Sequence, residues 1–551
     1  MKQIKRIAVT LLASCYAALI YAQSNPIVNY LPAEAKMIVK INSASLGQKM
    51  KWEELTQYKM FQDLVKKMPG EGQEFLSNPA HSGIDISKGF FVVLTSKSSE
   101  KVRPVFYAIP KDTSQIASMM RKLNPGRKIV KTGNGQLMAD SNVAVGWNRD
   151  IFVITMYDSS EKIARESSLA KLPFALRKVR ALTEKCKTLL TKRQTPFDNP
   201  RFISLLNESG DVLVWIDNST ASMARKGNKA VEALNVFNKG FMRKGDFTAG
   251  VINFENGRVL MKVKQYLTAA VDSMYNKFPP TNLNPGLLRK LPDGHIILLS
   301  SFVFSPEMMQ ENLARAGSDK LIDSATKNKV KTSDILSAIK GDITIAATRV
   351  TQVPEDDSFT RKLGGIALFV SGTINNKEKF KDLSGLVMSE NDSTKHRKQK
   401  PVILSNDSIF VVSLSPIAAQ NFLASQGANE EAEKLIHPYL DNPSAFVIDL
   451  RTIFGIVSQS MARGKSEEEN RQVSEVLGMF DKLVSYGGQH ASGALTSTGE
   501  LILTNKDENS LKQFMKLLDL SYSLKRKKGI AQNNSKWQPT QSKPLLPAAT
   551  R

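Results

Sequence analysis

Five histidines, His81, His295, His396, His437 and His490, are the side chains of this sequence most readily suited to moving protons near neutral pH. No two of them share a metal-ligand spacing, and the chain has no H-E-x-x-H, C-x-x-C or G-x-S-x-G motif. Met461-Ala462-Arg463-Gly464-Lys465-Ser466 ends like a phosphate-binding loop. Gln459 stands where such a loop needs its first glycine, so a backbone nest for phosphate is not expected. Asp217 and Asp449 close two similar apolar strands and invite comparison with a hydrolytic carboxylate pair. Asn42 holds the same place after a third strand, and an amide suits helix capping rather than acid–base work. Capping is therefore the reading for all three. His295, directly after Asp293-Gly294 at a strand start, reads as a satisfied structural residue. Cys186 lies between Lys185 and Lys187, a setting that lowers a thiol pKa; a helix cysteine without chemistry is the favoured reading. No catalytic residue, cofactor site or metal site is assigned.

The elements that would position any such residue follow a repeated grammar. Leu31-Pro32 makes a turn, Met37-Ile38-Val39-Lys40-Ile41 a strand, and Asn42 a cap that starts a helix. The pattern returns at 291–300 and, more loosely, at 210–217 and 442–450. Strands at 89–95 and 104–109, a helix over 115–123 capped by Thr113, and a strand from 128 complete a β-α-β-β-α-β order, which predicts a ferredoxin-like unit. Glu255-Asn256-Gly257 joins strands 247–254 and 258–263 as a hairpin.

Later segments answer earlier ones in order: 340–346 answers 88–93, 365–370 answers 105–109, 406–412 answers 148–154, and 445–450 answers 212–217. Finally 493–495 and 499–503 answer 250–252 and 257–261. The fold class predicted is α+β, a tandem duplication of β-α-β-β(-α-β) ferredoxin-like units, mostly antiparallel, with helices packed on one face. The first half should span 28–278 (sub-units 28–194 and 208–278) and the second 288–520 (sub-units 288–426 and 442–520). Linkers are expected at 278–281, 194–209 and 426–443, a mobile loop at 389–400, and a disordered basic tail at 521–551.

At 551 residues, with 41% hydrophobic and 23% charged side chains, the chain is globular in composition and too long for one core. Net charge is +24 and is concentrated. The tail holds Lys525, Arg526, Lys527 and Lys528, and 177–193 sets Arg177, Lys178, Arg180, Lys185, Lys187, Lys192 and Arg193 against Glu184. Such runs favour anionic glycan or membrane surfaces; each alone also fits a solvated helix face. Lys2, Lys5 and Arg6 before an apolar 7–20 predict a signal peptide over 1–22, cleaved between Ala22 and Gln23. Lipidation at Cys15, within Leu12-Ala13-Ser14-Cys15, is the alternative, disfavoured because 16–21 stays apolar. The run is too short for a transmembrane helix, and none is expected after its removal. Without Cys15, Cys186 is the single thiol and no internal disulfide forms.

A signal peptide followed by Leu31-Pro32-Ala33-Glu34-Ala35 and the strand Ile38-Val39-Lys40-Ile41-Asn42 resembles a large family of Bacteroidetes envelope proteins. Its members are of similar length, are often lipoproteins, and carry one domain of unknown function; the likeness covers about residues 28–520. The resemblance implies no activity and supplies no site residues. The expectation is an exported protein, periplasmic or extracellular, or anchored to the outer membrane if Cys15 is lipidated. It is read as a non-enzymatic binding or scaffold protein whose partner is an envelope protein, an anionic glycan or a membrane surface. The alternative is an uncatalogued hydrolase between the halves. Nucleic acid is disfavoured, since the basic runs lack interleaved aromatics.

Overall fold

The structure, a computed structural model, describes residues 25–536 except 68–72, 75–76, 96–102, 158–172, 193–198, 219–245, 318, 321–322, 324–330, 351–352, 354, 356, 391–400, 425–428 and 462–466. The first strands are β1 (Ala35–Ile41), β2 (Phe90–Thr95), β3 (Arg103–Ala108), β4 (Val130–Thr132), β5 (Gly135–Ala139) and β6 (Val143–Trp147). Then come β7 (Phe152–Met156), β8 (Val212–Asp217), β9 (Phe247–Glu255), β10 (Arg258–Tyr266), β11 (Gly294–Val303) and β12 (Ile339–Val350). The last are β13 (Ile366–Ile374), β14 (Val402–Ser405), β15 (Ile409–Ser413), β16 (Ser444–Asp449), β17 (Phe480–Ala491) and β18 (Ala494–Leu503).

The helices that matter below are α1 (Ser43–Lys49), α2 (Thr113–Leu123), α3 (Phe174–Leu189), α4 (Pro200–Leu206) and α5 (Ala269–Lys277). They continue with α6 (Glu430–Ile436), α7 (Leu450–Met461), α8 (Glu467–Gly478) and α9 (Ser510–Lys536). None of the described helices is long and apolar enough to cross a membrane.

Among the described residues every strand pairing is antiparallel, and the strands join into one sheet. From one end the order is β4, β5, β6, β7, β3, β2, β1, β8, β9, β10. It continues through β18, β17, β16, β11, β12, β13, β15 and β14. Outward from the central β10·β18 pair the two arms mirror each other, β9 with β17, β8 with β16, β1 with β11, β2 with β12 and β3 with β13. At the centre Lys262 faces Thr498, and the two strand starts, Arg258 and Ala494, each face the other strand's end. The backbone repeats this reciprocity: Leu267 N–H donates to Gly493 O at 3.0 Å, and Leu503 N–H donates to Gly257 O at 2.8 Å. A two-fold-like interface of this kind makes the same contact twice.

Each arm packs its own core. One gathers Ile38, Phe91, Tyr107, Phe202 and Trp215; the other gathers Leu299, Phe369, Phe422, Val447 and Val484. Both final strands of the sheet, β4 and β14, are short, and Pro401 precedes β14, which blunts edge-to-edge pairing.

Several expectations change. A ferredoxin-like unit would place β3 between β1 and β2, but β1 pairs β2 directly, because the helices between them return the chain antiparallel to β1's own flank. Helices lie on both faces of the sheet. Leu182 and Cys186 of α3 pack with Tyr107, Leu137 and Val153, while Ile116 and Met120 of α2 pack with Ala108, Met138 and Phe152. Neighbouring residues of one strand are thus buried on opposite sides, as apolar residues in sequence allow. The expected linkers at 194–209 and 426–443 contain α4 and α6, each capped by an asparagine, Asn199 and Asn429, and each burying apolar residues in an arm's core.

Asp112, not Thr113, caps α2, its carboxylate accepting the Ser114 and Gln115 N–H groups. The second-arm hairpin is β17·β18, turning at Ser492-Gly493, so β17 answers β9 and β18 answers β10; the strand expected at 493–495 is the start of β18. The tail expected to be disordered from 521 is helical to Lys536. The loop expected at 389–400 lies almost wholly outside the described residues.

Candidate functional site

Two histidines meet carboxylates remote in sequence. At the seam between the arms, His490 Nε2 on β17 lies 2.7 Å from Asp272 Oδ1 on α5, a partner 218 residues away. Tyr275, one turn further along α5, stacks on the imidazole with ring centroids 5.3 Å apart. Arg201 of α4 lies over the Tyr266 ring at 4.7 Å. A Cβ at Gly493 would come within 3.6 Å of the Arg201 guanidinium and 3.7 Å of the Asp272 carboxylate, so the turn docks directly on both. An acid and an imidazole so arranged can orient a proton. Here the carboxylate takes Nε2 and the phenol ring covers one face, so the pair ties β17 to α5 across the seam. A cavity of about 460 Å³ lies elsewhere, between α8, the end of β18 and α9. Its lining includes Glu475, Met479, Glu508 and Lys516, the last two joined at 2.6 Å, and neither histidine.

His295 is held from both sides. Its Nδ1 lies 2.9 Å from Glu431 Oε1 and its Nε2 2.6 Å from Asp449 Oδ2. Asp449 also accepts the Thr452 N–H at 2.8 Å, so it caps α7 as expected while gripping the imidazole. Burial would raise this carboxyl, but the Thr452 backbone, the His295 ring and the Thr452 hydroxyl together hold it below the usual carboxylate range. With both nitrogens against carboxylates, His295 keeps no ring nitrogen for base catalysis, and the expected structural role stands. At the mirrored place Lys36 Nζ lies 2.6 Å from Asp217 Oδ2. Asn42 Oδ1 accepts the Ser45 N–H at 3.3 Å, a cap; the helix that Asp217 was read to cap lies outside the described residues.

Other candidates are structural. Cys186 is buried, and desolvation pushes its thiol up to about 12, opposite to the activation its lysine neighbours suggest. Asp211, fully buried, accepts from the Ser45 hydroxyl at 2.6 Å, the Phe254 N–H at 2.6 Å and the Lys49 ammonium. It pins α1 to β8 and β9. His81 lies 3.3 Å from the Asn78 amide, and His437 opens a short 3-10 turn. Among the described residues no group of three or more His, Cys, Asp or Glu side chains could hold a metal ion. Cys15, Ala22, Gln23 and His396 lie outside the described residues, as does the loop-like 462–466.

A family model described as a domain of unknown function, DUF4836, matches residues 27–353, more than half of the chain. The chain belongs to the DUF4836 family. No curated protein matches it. Among solved structures, crystal form I of TP0453 is similar over 45% of this chain and 81% of that one, at 10% identity and a TM-score of 0.24. Crystal form IV of TP0453 covers 46% and 85% at 10% identity and 0.25, and form III covers 47% and 88% at 10% identity and 0.24. Likenesses at these scores carry no argument about this chain. The DUF4836 match takes in His295 but neither Asp449 nor the His490–Asp272 pair as a whole.

In this DUF4836 protein the unmet features are surfaces. Ile345 on β12 faces Val370 on β13, with Leu368 opposite Ala347, and Ile345, Leu368 and Val370 are all exposed. Both strands are interior to the sheet, flanked by β11 and β15. The mirrored residues Val92, Phe106 and Pro104 are half-buried. Lys525, Arg526, Lys527 and Lys528 fall within α9. Phe174 and Leu176, exposed at the start of α3, escaped attention in the sequence, although Pro173-Phe174-Ala175-Leu176 directly before Arg177 was a visible signal.

Proposed function

We propose that this is an exported, non-enzymatic binding protein of the cell envelope that docks a protein partner on the open face of β12 and β13. The observation that carries the proposal is the exposed, in-register trio Ile345, Leu368 and Val370. Interior strands have their backbone groups paired, so a partner covers this face by side-chain packing rather than by adding a strand. With only about 40% of each side chain left to cover, burying the three aliphatic residues contributes roughly 2–4 kcal/mol gross, less than association itself costs. The trio therefore serves as the centre of a wider interface, with exposed Arg349 at its edge. Export is supported by the basic and apolar run over 1–22.

The mirrored arms support a tandem duplication, with halves at about 28–278 and 288–520 and the long β10·β18 pairing as their seam. A hydrolase at that seam is the second reading, favoured by the Asp272–His490 pair. Among the described residues no nucleophile joins the pair, and we do not adopt it.

The test is a photo-cross-linking side chain in place of Leu368, illuminated in the native host. One discrete protein adduct, abolished by Val370→Asp, is expected. No adduct, or one indifferent to Val370→Asp, would sink the docking face.

A further inference from the structure

The first arm carries a second unpartnered surface, of different chemistry. α3 turns Leu182, Cys186 and Leu189 inward against β5, β6 and β7. Its first turn projects outward, with Phe174 56% and Leu176 53% exposed, among the most exposed large apolar side chains described. Cations surround that tip. Lys178 Nζ lies 4.8 Å from the Phe174 ring centroid and 4.6 Å from that of Tyr157, and the Arg177 guanidinium is 5.6 Å from Phe174. Helical spacing carries the charge onward: Arg180 and Lys187 follow Leu176 along one stripe, and Lys178 and Lys185 follow Phe174 along another. The acid on this helix, Glu184, is matched by Lys187 at 2.7 Å.

The cations call for an anionic occupant. An acidic protein or glycan would satisfy them and leave Phe174 and Leu176 in water. An occupant with an apolar interior beneath a charged surface satisfies both, and an anionic bilayer has that profile. We propose that the first turn of α3 seats in the surface of an anionic phospholipid bilayer. Phe174 and Leu176 enter the acyl boundary, and Arg177, Lys178 and Arg180 contact the headgroup phosphates. This surface is separate from β12 and β13, so it stands or falls independently of the docking face.

The test uses the exported chain, from Gln23 onward, in co-sedimentation with vesicles of equal parts phosphatidylglycerol and phosphatidylcholine, against phosphatidylcholine alone. Binding to the anionic vesicles only, weakened by salt, is expected. Phe174→Ser with Leu176→Ser should weaken it about tenfold or more, since each apolar side chain loses its burial. Each of Arg177→Gln, Lys178→Gln and Arg180→Gln should weaken it about fivefold. Phe174, Leu176 and Arg180 are exposed and Arg177 and Lys178 half-buried, and an unchanged circular dichroism spectrum verifies that the variants fold. Absence of binding by the wild-type chain would overturn the proposal. So would binding indifferent to the serine pair, or binding lost only when Lys525, Arg526, Lys527 and Lys528 are changed to glutamine.

Discussion

His295 and Lys36 occupy mirrored places against Asp449 and Asp217, so the same strand pair is closed by an imidazole–carboxylate contact in one arm and a lysine–carboxylate contact in the other. Because the Asp449 carboxyl is held below its ordinary range, its contribution is complete above the unfolded value near 3.9 and is lost as pH falls through the lower folded value. Asp449→Asn should therefore flatten the acid limb of the urea midpoint measured against pH; an unchanged acid limb would remove the clamp from the account. Cys186 has the opposite sign. Its thiol is raised to about 12, so the native protein should resist iodoacetamide at neutral pH and react promptly once unfolded, as mass spectrometry would read. Asp211 contributes a fully buried carboxylate to its contact with Lys49. Asp211→Ala, which strands the half-buried Lys49 ammonium, should cost roughly 3–5 kcal/mol in urea unfolding, where a fully solvated pair contributes at most about 1 kcal/mol.

The two hairpin turns that lock the seam invite an element-scale comparison. Gly257 and Gly493 both have positive φ, 65° and 71°. A Cβ at Gly257 would lie 2.6 Å from Lys506 Cα, whereas at Gly493 the nearest atom is a guanidinium nitrogen at 3.6 Å that can swing aside. Gly493→Ala should cost about 1–2 kcal/mol from backbone strain alone. Gly257→Ala should cost a further ~1–3 kcal/mol from overpacking; equal urea midpoints would show that the turn does not sit where described.

Legibility in the sequence follows the same local logic. Asn256-Gly257 announced the first hairpin, but β17 went unread, since Gly487-Gly488-Gln489-His490 breaks its alternation and only pairing on both sides makes it a strand. The asparagine caps of α4 and α6 were readable, with Pro200 at the first turn of α4, yet polar neighbours made both segments look like linkers.

At the scale of the molecule, two cores are joined through β10·β18, with Lys262 facing Thr498 at the middle. Val263→Pro removes the ladder donation toward Ser497 of β18 and should split one calorimetric transition into two. A single transition at lower temperature would mean that the arms have no separate stability. The proposed lipid-facing helix rests over β5–β7 and the proposed docking face on β12 and β13. About eleven strand spacings, ~50 Å along the sheet, separate them, enough for one molecule to hold a partner away from a membrane surface.

Composition, the repeated turn–strand–cap grammar, and the absence of catalytic motifs were determined by the sequence alone, because each depends on residues within a few positions of one another. The carboxylate partners of His295 and His490 lie 154 and 218 residues away, and no local spacing encodes them. Which face of β12 and β13 stays open was likewise decided only by tertiary structure, because exposure depends on which neighbour the folded chain leaves out.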